Sequence, residues 1–160
     1  MRRVRLLVCG DPMRGDDALA DAVLEALPEH AAELVDARHV GQLMPDDLIG
    51  APGPVIVLDA VDGPPPGEVV DLPLDALVEA DSRGIRPGSS HALPLTLTLA
   101  IVERLAGSLP EGRLIGVAGA SYDIGEPLSP RVREAVPRCA ARLHHWIRVL
   151  AHESRTSRCA

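Results

Sequence analysis

At 160 residues, 46% of them apolar, the chain suits one domain built around one core. Its net charge of −7, with arginines that form no stripe, argues against a nucleic-acid footprint. The sequence holds no lysine, which excludes Schiff-base chemistry and a lysine clamp on phosphate, and with only Trp146 and Tyr122 as aromatic residues its core must be aliphatic.

Val4 to Cys9 is a short apolar run that stops at Gly10, and a turn holding Asp11-Pro12 and Gly15 follows. From Asp16 the apolar residues Leu19, Val23, Leu24 and Leu27 recur at helical spacing, so this stretch reads as strand, loop and helix, half of a βαβ unit. The loop leaving a parallel strand is where open α/β sheets bind ligands, and this one carries Asp16 and Asp17. Capping is the ordinary role of an Asp at a helix start. With two side by side, Asp16 is assigned to the cap and Asp17 to the site. Gly10 and Gly15 do not form a G-x-G-x-x-G dinucleotide loop.

Ala32 to Asp36 reads as a second strand, and Pro45 opens a short helix before the break at Ala51-Pro-Gly-Pro54. Val55-Ile-Val-Leu-Asp-Ala-Val61 is the strongest strand, apolar on both faces and hence central. Asp59 lies at its C-terminal end, where an unpaired carboxylate would cost several kcal/mol, whereas Asp62-Gly63 is a turn. Glu68 to Leu72 fits an edge strand. Ser90-His91 precedes an apolar stretch to Leu105 that alternates like a strand in part, but whose length and Pro94 favour a helix with His91 at its entrance. Arg113 to Ala118 is the last strand, and Ser129-Pro130 starts a final helix running to about Leu150, with a kink expected at Pro137. The six arginines of that region (131, 133, 138, 142, 148 and 155) read as a solvated face. Residues 1–151 form one domain in this reading, and 152–160 a flexible polar tail.

No apolar run reaches transmembrane length, and Leu6 to Cys9 is too short for a secretory h-region. Three cysteines, Cys9, Cys139 and Cys159, match no metal spacing, so a reduced cytoplasm is expected.

If the first and third strands lie side by side, Asp17 and Asp59 leave the same sheet edge, and the loop ending in His91 can reach it. Two carboxylates and an imidazole suit a borderline divalent metal with open positions. The same residues are also readable as a helix cap, a buried charge and a surface histidine. Other catalytic patterns fit less well. Ser121 lacks a nucleophile elbow, Cys9 has no evident base, and His144-His145 are adjacent and so point to different faces.

Gly10-Asp-Pro-Met-Arg-Gly-Asp-Asp17, Leu58-Asp-Ala60, Ser90-His91-Ala-Leu93 and Ile115-Gly-Val117 with Ser129-Pro130 together resemble the hydrogenase maturation proteases. The family pattern has a G-N-x-L-x-x-D-[D/E]-G-x-G loop, an apolar strand ending in D-A, and a serine-histidine pair before an apolar helix. The resemblance runs in order from Val4 to about Leu150. It implies a three-layer α/β/α sandwich with a twisted, mostly parallel sheet of about five strands. It implies an aspartic-type endopeptidase that removes the C-terminal extension of a nickel-loaded [NiFe]-hydrogenase large-subunit precursor. Asp17, Asp59 and His91 then become the nickel-contacting and catalytic residues, the nickel being the substrate's own. The expected enzyme is a cytoplasmic monomer that binds neither nucleic acid nor membrane. This chain has Asp11 where the family has Asn, and Ala18 and Ala20 where it has glycine. Its segment Ala37-Arg-His-Val-Gly41 replaces a glycine-rich one, with His39 either a further ligand or a surface residue. Two other readings compete: a nickel-sensing assembly module that does not cut, and a small-molecule hydrolase or phosphorylase on a similar fold.

Overall fold

A computed structural model describes residues 3–79, 86–87 and 94–156. The sheet contains β1 (Val4–Cys9), β2 (Val35–Gly41), β3 (Val55–Asp62), β4 (Val69–Pro73), the two-residue β5 (Arg86–Pro87) and β6 (Gly112–Ala118). Its order is β2-β1-β3-β6-β4, with β5 paired to β3. The first four of these run parallel, whereas β4 is antiparallel to β6 and β5 to β3. As the apolar run from Val55 predicts, β3 is central. As expected, Glu68 to Leu72 gives the edge strand, here β4.

The helices are α1 (Leu19–Glu25), α2 (Glu29–Ala32), α3 (Pro45–Leu48), α4 (Leu74–Glu79), α5 (Leu95–Ala106) and α6 (Pro130–Thr156). Alternation along the strands splits their side chains between two cores. Leu6, Val8, Ile56, Leu58, Ile115 and Val117 meet Leu19 and Val23 of α1 and the inner stripe of α6. That stripe is Val132, Ala135, Cys139, Leu143, Ile147 and Leu150, a helical spacing that buries one face. Leu7, Cys9, Val57, Val61 and Leu114 meet Leu48 of α3, Leu74 and Leu77 of α4, and Leu99 and Val102 of α5. The three-layer expectation therefore holds, with a sheet that is mixed at its margins.

Two sequence boundaries shift. Ala32 belongs to α2, and the second strand starts only at Val35 and runs to Gly41. The last helix passes Leu150 and continues to Thr156, so the region read as tail is helical in its first part. The helix also runs through Pro137 as one element. Pro137 and Arg133 are exposed, so the carbonyl left without its N–H partner stands on the solvent side of the helix. Among the described residues no helix is long and apolar enough to cross a membrane.

The chain leaves β1 through α1 on one face to reach β2, then passes α3 on the other face to reach β3. Its direction of travel thus reverses between β1 and β3, and the crevice beyond their C-terminal ends is the topological switch point of the sheet.

Candidate functional site

Asp17 stands on one side of that crevice and Asp59 on the other. Asp17 lies in a single 3-10 turn, Gly15–Ala18, that links the β1 loop to α1. Two glycines allow the turn. Gly10 has φ +106°, and a Cβ there would collide with the Asp17 carbonyl; Gly15 has φ +49°, and a Cβ would lie 2.7 Å from the Ser121 carbonyl. Both conformations are ones L side chains rarely adopt. Asp11 closes the approach with an Asx turn, its Oδ1 accepting from the Met13 N–H at 2.9 Å. An asparagine would make the same bond, so Asp for Asn keeps the turn and adds a charge.

Asp17 is 4% exposed, and its carboxylate accepts a hydrogen bond from the Asp11 N–H at 2.9 Å. Burial pushes it above the usual carboxylate range. The Asp11 N–H and the Arg14 guanidinium pull it back, while the Asp11 carboxylate adds to the rise.

Asp59 sits between Val57 and Val61 on the strand face that carries Cys9, and it retains partial exposure. β1 and β3 are in register up to Val8 and Leu58, so Cys9 and Asp59 come next on neighbouring strands. Burial raises Asp59 well above the carboxylate range, and the negative charge of Asp17 raises it further, against the Ala60 N–H that lowers it. The Cys9 thiol is raised first by burial and then by Asp59, Asp47 and Asp17, which keeps it protonated and removes it as a nucleophile. The crevice thus gathers two carboxylates whose ionised forms burial disfavours, a setting suited to holding a proton or a cation.

Asp16 does something the sequence reading missed. It does not cap its own turn. Its fully buried carboxylate instead accepts four hydrogen bonds from the other end of the chain. Oδ2 takes the N–H groups of Ala120 (2.7 Å) and Ser121 (3.1 Å) and the Ser129 hydroxyl (2.8 Å), and Oδ1 takes the Ser129 N–H (2.7 Å). The assignment to a local cap fails because the donors lie more than 100 residues away, where no local pattern can reveal them. A second acid beside the first was the one available signal.

This staple fixes the loop after β6 beside the loop after β1. An isolated bridge pairs Arg14 with Ile124, the Gly125 N–H donates to the Met13 carbonyl at 2.8 Å, and Arg14 Nε donates to the Tyr122 carbonyl. Tyr122 in turn donates its hydroxyl to the Val61 carbonyl at 2.8 Å. At the outer rim Met13 is 65% and Ile124 78% exposed, an apolar ledge on loops held by backbone hydrogen bonds.

His91, the third residue expected here, lies outside the described residues. β5 pairs with Val61 and Asp62 of β3, whose opposite edge is taken by β6, so the chain shortly before residue 91 returns on the β1 side of the crevice. His39 does not join the site. It is exposed and lies 3.6 Å from Asp21 of α1. Ser121 donates its hydroxyl to Glu126 and has no histidine partner among the described residues. Among those residues, no three His, Cys, Asp or Glu side chains form a group able to hold a metal. Asp17 and Asp59 are the two carboxylates of the expected set that the described residues place at the crevice.

A family model described as hydrogenase maturation protease matches residues 21–146. Solved structures of similar shape include the [NiFe] hydrogenase maturation protease HybD from Thermococcus kodakarensis, at 22% identity and TM-score 0.68, covering 91% of this chain and 99% of that one. The hydrogenase-maturating endopeptidase HybD from E. coli has the same identity and TM-score and is covered over 92% of its length, against 91% of this chain. A hydrogenase 2 maturation peptidase from a Thaumarchaeota archaeon is 25% identical with TM-score 0.58, over 91% of this chain and 98% of that one. No curated protein sequence gives a significant match.

Proposed function

The chain belongs to the hydrogenase maturation protease family and is a hydrogenase maturation endopeptidase, and from this we propose that it trims the C-terminal extension of a nickel-loaded [NiFe]-hydrogenase large-subunit precursor at the crevice between β1 and β3. The observation that carries this reading is the pairing of Asp17 and Asp59 across the switch point, both raised by burial and Asp59 raised further by its partner.

In this proposal Asp17 and Asp59, completed by His91 as the family resemblance implies, grip the nickel that the precursor brings. Paired carboxylates and an imidazole are a donor set that suits such a borderline cation. A cation entering the crevice would favour the ionised carboxylates and displace the proton that burial favours on Asp59. With its proton displaced by the cation, Asp59 uses the oxygen left off the metal to take the proton of the attacking water, and returns it to the departing amine when the peptide bond breaks. The chain works in the cytoplasm as a monomer in this reading.

Met13 and Ile124 favour a protein substrate over a small molecule. They form an open apolar rim beside Asp17, where a small-molecule hydrolase would need walls around its ligand. The test is mass spectrometry of large-subunit precursor incubated with the protein, with and without nickel loaded. Loss of a short C-terminal peptide from the nickel-loaded form alone supports the proposal. Nickel-dependent binding without cutting would support the assembly-module reading instead.

A further inference from the structure

A second cluster of chemistry-bearing side chains lies at the opposite end of the sheet. α2 sits just before β2 begins, at the edge where the parallel strands start. His144 lies 15 residues beyond Ser129 along α6, roughly 22 Å from the Asp16 staple at 1.5 Å per residue. His30 of α2 and His144 of α6 bring their outermost ring nitrogens together, Nε2 to Nε2, at 3.2 Å. The rings stand edge to face, with centroids 5.0 Å apart and planes at 69°.

We propose that His30 and His144 form a two-histidine site for a divalent transition-metal ion of the zinc, nickel or copper class. Two ring nitrogens facing each other need something positive between them, since their lone pairs repel. A single shared proton would serve, as an N–H···N hydrogen bond. A metal fits the same opening. With metal–nitrogen bonds of about 2.0–2.1 Å, a tetrahedral angle sets the two nitrogens about 3.3–3.4 Å apart and a right angle about 2.9 Å. The observed separation lies between these limits, so the metal can enter with little movement of either ring.

Among the described residues no third His, Cys, Asp or Glu completes the pair, which leaves the remaining coordination positions to water. His30 is exposed and His144 half-buried. His145 turns away against Trp146, with ring centroids 5.3 Å apart, so it is not a third ligand. Burial first, then the charges of His30 and Arg148, lower the proton affinity of His144 and leave its nitrogen available as a ligand. Arg148, one helical turn on, also repels a cation. It sets the affinity below that of a charge-neutral pair without blocking the geometry. A bound ion would pin α2, a four-residue helix too short to hold itself, onto the long α6.

The test uses metal-free full-length protein carrying Asp17→Ala and Asp59→Ala, which removes the sheet-edge site from the count. Zn2+ is titrated by calorimetry near pH 8, and Cu2+ by electron paramagnetic resonance. The expected result is one equivalent bound, a two-nitrogen copper spectrum and a rise in Tm with Zn2+. His30→Gln or His144→Gln should each weaken binding roughly tenfold or more by ending the chelate, and the pair together should abolish it. Both side chains lie on the outside of the helices, and the Tm without metal checks that each variant stays folded. Unchanged stoichiometry and affinity in the double variant, or no binding in the parent, would overturn the proposal and leave a hydrogen-bonded pair.

Discussion

The Asp16 staple allows its cost to be worked out from its donors. Four donors and no acceptor converge on this fully buried side chain. Asp16→Ala removes every acceptor and leaves three backbone N–H groups and one hydroxyl to find others. The hydroxyl can rotate, but the N–H groups cannot. A buried unsatisfied donor costs about 1–3 kcal/mol, and removing one side of a buried charged network costs about 3–5 kcal/mol in total. We expect a loss near 4 kcal/mol, within the roughly 5–15 kcal/mol that holds a domain together. Asp16→Asn should fare little better. Whichever way the amide turns, its NH2 faces at least one backbone N–H, because Oδ1 and Oδ2 both accept from the main chain. With a urea slope of about 2 kcal/mol per molar, the unfolding midpoint should fall by about 2 M for Ala and by more than about 1 M for Asn. Ser129→Ala, which deletes only the hydroxyl donor, should cost about 1 kcal/mol. An Asp16→Asn protein within about 1 kcal/mol of wild type would refute the reasoning, since it would mean that water had replaced the carboxylate.

Further consequences follow for the neighbouring residues. Asp59→Asn should abolish peptide release from the precursor, yet raise stability. The folded carboxyl is raised above its unfolded value of 3.8, so the stability it contributes is present below that value and lost as pH rises through the folded pKa. The Tm gain of the variant should therefore be small at pH 4 and larger at pH 8, whereas an equal loss at both would indicate a structural role. Asp11→Asn keeps the Asx turn but removes a charge that raises Asp17, so the acidic limb of the cleavage–pH profile should move to lower pH. Gly10→Ala meets both a positive φ and the Asp17 carbonyl, and should cost more than about 2 kcal/mol by chemical denaturation. At the far side of the sheet, Asp71 accepts from Arg113 (2.7 Å), Trp146 (2.8 Å) and Arg142 (3.1 Å) while Arg113 stacks on Trp146 at 3.8 Å. Asp71→Ala should lower stability by about 2–3 kcal/mol without altering cleavage at saturating precursor, as Tm and kcat would show.

What the sequence made legible were elements with strong local signatures. The β3 run, the Pro45 helix and the Ser129-Pro130 start all follow from β-branching or a fixed φ. The side-by-side placement of Asp17 and Asp59 was readable because a strand–loop–helix opening and a central apolar strand leave few ways to build a parallel sheet. Polar contacts distant in sequence were invisible. Asp16, its donors at 120, 121 and 129, and the His30–His144 approach depend on chain ends brought together by packing, and no spacing rule encodes them. The arginines of α6 show both sides of this. Arg131, Arg133, Arg138, Arg142 and Arg148 are exposed, as a solvated face should be, yet Arg138 donates to the Gly67 carbonyl and Arg142 to Asp71.

The division of the core by the sheet gives each face its own chemical clock. Cys9 is buried among the side chains under α3 and α5, and Cys139 among those under α1 and α6. Burial holds Cys9 well above the usual thiol range and pushes Cys139 up to about 12, so neither reacts while its layer is closed. Pulse alkylation followed by peptide mapping would then time the opening of the two layers separately in one molecule. Equal labelling rates would show that the helical layers come away together, whereas faster labelling of Cys9 would show that the layer of short helices peels off while α6 still clasps the other side.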